Sequence, residues 1–261
     1  RPACGMTASV PRKAWSLPNA ATRHAPSSSQ SIEDPRLNDA VALRRCAQYR
    51  KEFRGAAVSY PADILRLGAP TDWVKRHGVG VDVADRAGLA LALAAGVVPQ
   101  RIIMHGSDQA LSALADAATA GAGRFVVNSP QQVGALAGSG SQRRRVLVEV
   151  VDENADELVA AVISGVGLDM IGVHRDVRGG EDGCRTVRTM IAQMRSIACR
   201  YQLIPARLSL GGVDCSEWDC APDDLAAIAV ALDDAVEDGC IAARFPRPAI
   251  NIAPSRAALI P

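Results

Sequence analysis

The run "GVGVDVADRAGLALALAAGVVPQRIIMHG", Gly78 to Gly106, holds two short β-type segments, 78–83 and 101–106, around an Ala/Leu-rich helical stretch that stops at Gly96. An apolar strand, a helix closed by glycine and a second apolar strand form a βαβ unit, which brings parallel strands together through a right-handed crossover. The same alternation continues on both sides. Upstream lies "GAAVSYPAD" (55–63), preceded by the helical "DAVALRRCAQYRKEFR". Downstream come "RFVVNS" (124–129), "RVLVEV" (145–150), "DMIGVHRD" (169–176), "ARLSLGG" (206–212) and "AINIAPS" (249–255). Helical stretches such as "ADELVAAVISG" and "PDDLAAIAVALDDAVEDG" separate them. Eight near-continuous apolar strands alternating with helices predict a closed (β/α)₈ TIM barrel. An open doubly wound sheet is the other topology that this periodicity allows. Against it, no GxGxxG follows the first strand.

Composition sets the outer limits. The chain has 261 residues, 48 % of them hydrophobic, with three each of Phe, Trp and Tyr and a net charge of +1. Such a chain can bury one large α/β core. The charge balance points to neither nucleic acid nor an anionic membrane as partner. The one compact basic run, Arg143 to Arg145, reads as a solvated loop. Seven cysteines with no CxxC suit reduced thiols in a cytoplasmic protein, and no apolar run reaches the ~20 residues of a membrane span. Residues 1–36 are rich in Ser, Pro and Arg, with no acid before Glu33. They are expected to form a disordered tail ahead of a barrel over 37–261.

From about Leu43 to Pro261 the blocks resemble, in order, the N-terminal barrel of diaminopimelate decarboxylase. This is a fold-type III pyridoxal-phosphate enzyme of lysine biosynthesis, akin to alanine racemase and ornithine decarboxylase. The 78–106 run is similar to the family's "GLGLDV-S-GEL-ALAAG…I-HGN-K", and "RFVVNSPQQV", "IGVH", "LSLGG" and "APSR" follow in register. The resemblance implies the alanine racemase type of barrel and, for an active member, an amino-acid decarboxylase, a lyase. It also implies a set of site positions, and these are where the chain departs from the family. The cofactor lysine of "YA-K-A" falls on Asp63, and a carboxylate cannot form a Schiff base with pyridoxal phosphate. The His that stacks on the pyridine ring falls on Asp176, with His174 retained before it. The Glu of "EPGR", partner of the pyridinium nitrogen, falls on Ala253. The third glycine of the phosphate loop is Val213, after Gly211 and Gly212, and the Glu of "SGGEL" is Gly88. The family's hairpin between strands five and six and its C-terminal β-domain have no counterpart in the sequence.

These departures lead to the expectation of a pseudoenzyme that needs no cofactor, with pyridoxal phosphate bound non-covalently if at all. It would act as a binding or regulatory module, through a small anionic ligand, as a homo-oligomer, or as partner of a genuine fold-type III enzyme. In a (β/α)₈ barrel the working end lies at the C-terminal ends of the strands. The residues expected there are Asp63, Asp82, His105, Asn128, His174, Asp176, Gly211, Gly212, Ser255 and Arg256. Backbone N–H groups at Gly211 and Gly212, with Ser255 and Arg256, are candidates for holding an anion. No metal site is assigned from a sequence motif. Two alternatives stay open: a family protein with residual cofactor binding, and a repurposed enzyme using Asp63, His174 and Asp176 as metal ligands or as acid and base.

Overall fold

A computed structural model of the chain describes residues 35–107, 111–138, 143–150, 155–177, 179–218 and 224–260. The predicted tail falls almost wholly outside these residues. The first helix, α1 (Pro35–Glu52), starts at its last two positions.

All eight expected strands form: β1 (Ala57–Pro61), β2 (Gly80–Val83), β3 (Ile102–His105), β4 (Arg124–Val127), β5 (Arg144–Glu149), β6 (Leu168–Asp176), β7 (Arg207–Val213) and β8 (Ala249–Pro254). Every neighbouring pair is parallel. The sheet closes where Val58 of β1 stands in register with Ile252 of β8, so the open alternative is excluded. The helices between strands are α2 (Gly68–His77), α3 (Arg86–Ala94), α4 (Leu111–Ala120), α5 (Pro130–Leu136), α6 (Ala155–Ser164), α7 (Gly180–Tyr201) and α8 (Leu225–Ala243). A one-turn α9 (Arg256–Leu259) follows β8. Short polar side chains start several of these helices by accepting an orphan backbone N–H. Asp85 accepts from Gly88, Asp224 from Ala227 and Ser255 from Ala258. Gly78, at φ 56°, closes α2 in the left-handed region that favours glycine.

Strand periodicity sorts the side chains into two compartments. Val58, Tyr60, Val81, Val83, Ile102, Met104, Phe125 and Val127 point outward and join the helices in one continuous core. The interior is smaller and divided. Ile103, Val126 and Leu147 form a separate apolar cluster on one side. On the other, buried Asn251 donates to Ser59 (3.0 Å) and Ser209 (3.4 Å). Charge is segregated along the barrel axis. Inward-facing Asp82 and Glu149 sit towards the C-terminal mouth, whereas Arg124 and Arg207 open β4 and β7 at the base. Within the basic triplet, Arg144 is buried and donates to the Leu136 carbonyl, while Arg143 and Arg145 are exposed. The expected solvated loop is therefore partly a structural anchor.

Candidate functional site at the barrel mouth

The mouth gathers two histidines against three carboxylates. Asp82 is the penultimate residue of β2 and His105 the last of β3. Asp82 stands in register with Ile103, two residues before His105, whose Nε2 reaches back to within 3.0 Å of Asp82 Oδ1. His174, on β6, is buried. Its Nδ1 lies 3.1 Å from Ser209 Oγ on β7, and its Nε2 lies 3.7 Å from Asp176 Oδ1. The two imidazoles meet edge to face, with centroids 5.1 Å apart. Asn128, just past β4, donates to Glu149 (2.9 Å) and is clamped by Gln132 of α5. Gln132 accepts from the Asn128 backbone N–H and donates to its side-chain oxygen.

Environment drives the two histidines apart. Burial pushes the proton affinity of His105 down, but its bond to Asp82 and the fields of Asp82, Asp176 and Glu149 outweigh this, leaving its pKa raised. His174 has no comparable partner. Burial, with the nearby charge of His105, pushes it down to about 3, so it is a neutral imidazole at neutral pH. Asp82 keeps one buried oxygen, Oδ2, without a hydrogen-bond partner. A charged donor–acceptor pair beside a neutral imidazole can bind a polar ligand or exchange a proton with it.

The residues selected from the sequence do not all meet. His174 and Asp176 come together on the inner face of β6, as their spacing predicted. Asp63 turns elsewhere. It lies just past β1, in a 3-10 turn over Ala62–Arg66, and faces the guanidinium groups of Arg256 (3.6 Å) and Arg66 (3.5 Å). Among the described residues, no three His, Cys, Asp or Glu side chains are grouped to hold a metal ion. Pro61, which has no N–H to give the ladder, is the last residue of β1, where the ladder is ending anyway.

The proposed anion site is likewise committed internally. Ser255 donates to Asp214 (2.8 Å) and caps α9, and Arg256 faces Asp63. Gly212, at φ 68°, forms the irregularity near the end of β7, between Gly211 and Val213. However, the Asp176 carboxylate lies over the neighbouring glycine, with Oδ1 only 2.1 Å from where a Gly211 Cβ would stand. Because Asp176 is more than half exposed and can swing away, Gly211→Ala should leave thermal stability within about 1 kcal/mol of the parent. It should also dislodge the carboxylate, a change visible in the NMR shifts of the His174 ring.

The fit to pyridoxal phosphate can be tested residue by residue. A phosphate over Gly211 and Gly212 would meet the Asp176 carboxylate, a like charge. Ala253, nine-tenths buried, offers no polar atom from its side chain to a pyridinium nitrogen. The whole chain has three lysines, Lys13, Lys51 and Lys75, a count that sequence reasoning overlooked. Lys51 and Lys75 occupy the last turns of α1 and α2, which run back to the base, away from the mouth. Lys13 lies outside the described residues. The described mouth residues therefore do not fit the group.

Residues 40–166 match the family model described as "Pyridoxal-dependent decarboxylase, pyridoxal binding domain". The diaminopimelate decarboxylases of Mycobacterium bovis and Mycobacterium tuberculosis are 27 % identical over 256 residues. The match covers 82 % of this chain but only 56 % of theirs, so the chain spans little more than half the length of these relatives. Among solved structures, diaminopimelate decarboxylase from M. jannaschi superposes with a TM-score of 0.70 at 14 % identity, over 85 % of this chain and 60 % of that one. Ornithine decarboxylase from Entamoeba histolytica superposes at 0.67 with 16 % identity, over 84 % and 62 %. Together the closed eight-stranded barrel, the match over residues 40–166 and these relatives show a (β/α)₈ barrel similar to the N-terminal barrel of the diaminopimelate decarboxylases.

Proposed function

We propose that this barrel has left Schiff-base chemistry and works as a binding or regulatory module built on a decarboxylase scaffold. The observation that carries the reading is the pairing of Asp63, at the position matched to the family's lysine, with Arg256. The placement of Asp176 over Gly211 and the apolar Ala253 support it at two further positions of the same site. Its ligand is a small polar molecule that engages the mouth cluster, and its macromolecular partner is a second copy or a complete fold-type III enzyme. The test is an absorbance titration with pyridoxal phosphate, together with an assay for carbon dioxide release from diaminopimelate. The reading expects no aldimine band and no release. A saturable band with turnover would return the protein to the decarboxylases.

The His105–Asp82 pair, with an unpartnered buried oxygen on Asp82, favours a second reading in which the mouth performs acid–base chemistry of its own. This repurposed site centres on Asp82, His105 and His174 rather than on Asp63. If the pair binds ligand, His105→Asn should weaken any mouth ligand about tenfold or more while leaving the fold intact by circular dichroism. Unchanged affinity would remove His105 from the site.

A further inference from the structure

At the opposite end of the barrel, a cavity of about 420 Å³ opens at the base between α1, α2, the first residues of β1, β2 and β4, and Arg101 just before β3. Its ionisable lining residues are Arg50, Arg54, Arg101, Arg124 and His77, and its lining includes no Asp or Glu. Gly78 and Gly80 leave one wall bare, and buried Asn251 lines it from inside the barrel. Helix ends account for part of this charge. Arg50 lies in the last turn of α1 and His77 in that of α2, where cations suit the C-terminal dipole. Arg124 is different. It opens β4 facing inward, only partly exposed, and its charged surroundings include Arg101, Arg145 and Arg207. Among the described residues, none of Arg50, Arg101 and Arg124 has an ion-pair partner. Burial and these like charges depress the Arg124 pKa, with only distant Asp82 opposing them. Holding several unpaired guanidinium groups around one cavity costs free energy, which an anion filling the cavity would offset.

We propose that this basal cavity is a binding site for a small phosphate-bearing ligand, gripped by the guanidinium groups of Arg101 and Arg124. Planar guanidinium forks suit the paired oxygens of phosphate. The volume falls in the range of small-molecule sites and leaves room for an organic group besides the phosphoryl. The site is independent of the mouth and of the reading given to it. Calorimetric titration of the whole chain at low, chloride-matched ionic strength tests it, with inorganic phosphate and glycerol 3-phosphate as probes. The expected result is one site per chain, weakened about tenfold or more by Arg124→Gln and by Arg101→Gln and unaffected by Arg256→Gln. Tighter binding of the ester would point to a phosphorylated metabolite, and equal binding to free phosphate. Circular dichroism checks each variant. If Arg124→Gln does not fold, the exposed Arg101→Gln carries the test. No binding of either probe would overturn the proposal. So would binding that both base variants leave untouched, or that Arg256→Gln abolishes.

Discussion

Gly172→Ala should destabilise the barrel by about 3 kcal/mol or more, lowering the melting temperature by roughly 10 °C or preventing folding outright. A Cβ at this position would stand 2.0 Å from the Arg207 carbonyl oxygen, on the backbone of the adjacent strand β7. Backbone cannot rotate away as a side chain can, and Gly172 is in ladder register with Arg207 just after the irregularity in β6. The substitution therefore forces β6 and β7 apart where the barrel must stay closed. Gly134→Ala is the matched control. It lies in α5 with nothing within 4 Å of the added methyl, so it should be neutral or stabilising by about 0.5–1 kcal/mol. Chemical denaturation of both variants checks the pair. An undisturbed Gly172→Ala barrel would contradict the strand packing described above.

Mild acid should weaken the protein through His174. Its folded pKa of about 3 lies far below the ordinary 6.5, so the folded state resists a proton that the unfolded chain accepts. The resulting stability is complete above pH 6.5 and drains away as pH falls towards 3. At about 1.4 kcal/mol for each tenfold change in proton affinity, roughly 2 kcal/mol is lost between pH 6.5 and about 4.5. His105 has the opposite sign. Its raised pKa adds stability below its ordinary value, and that contribution disappears as pH rises through the raised one. The two effects share the mouth with Asp82, Glu149 and Asp176, so the difference between variants is the clean quantity. His174→Gln should lose about 2 kcal/mol less than the parent over this range. Urea titrations at the two pH values measure it. Equal losses would mean that His174 is not held neutral.

Much of this architecture could be read from the chain because the local signals agree with the global fold. Alternation of short apolar runs with Gly-terminated helices marked every strand, and the collinear blocks pointed to closure, which periodicity alone cannot see. The interior was harder to read. Ser59, Ser209 and Asn251 alternate with Val58 and Tyr60, Leu208 and Leu210, and Ile250 and Ile252. Treating those strands as continuously apolar hid a period of two that assigns these residues to the inside. Asp82 and His105 are both expected at the mouth from their strand positions, but their pairing depends on the β2–β3 register. Gln132 carries no sequence signal at all, since nothing local says that an α5 side chain will clamp the end of β4. The resemblance singles out Asp63 as the position matched to the family's lysine, but its partners were not legible. Arg256 lies 193 positions away and reaches it only because β8 closes against β1.

The most direct test of the account is intact mass after incubation with pyridoxal phosphate and reduction with borohydride, which makes any Schiff base permanent. Only three lysines compete for the label, so a reduced adduct can be located on a single peptide. The expected result is an unchanged mass apart from sub-stoichiometric surface labelling. A stoichiometric adduct on one lysine would contradict it, and Lys75 would be the first to replace.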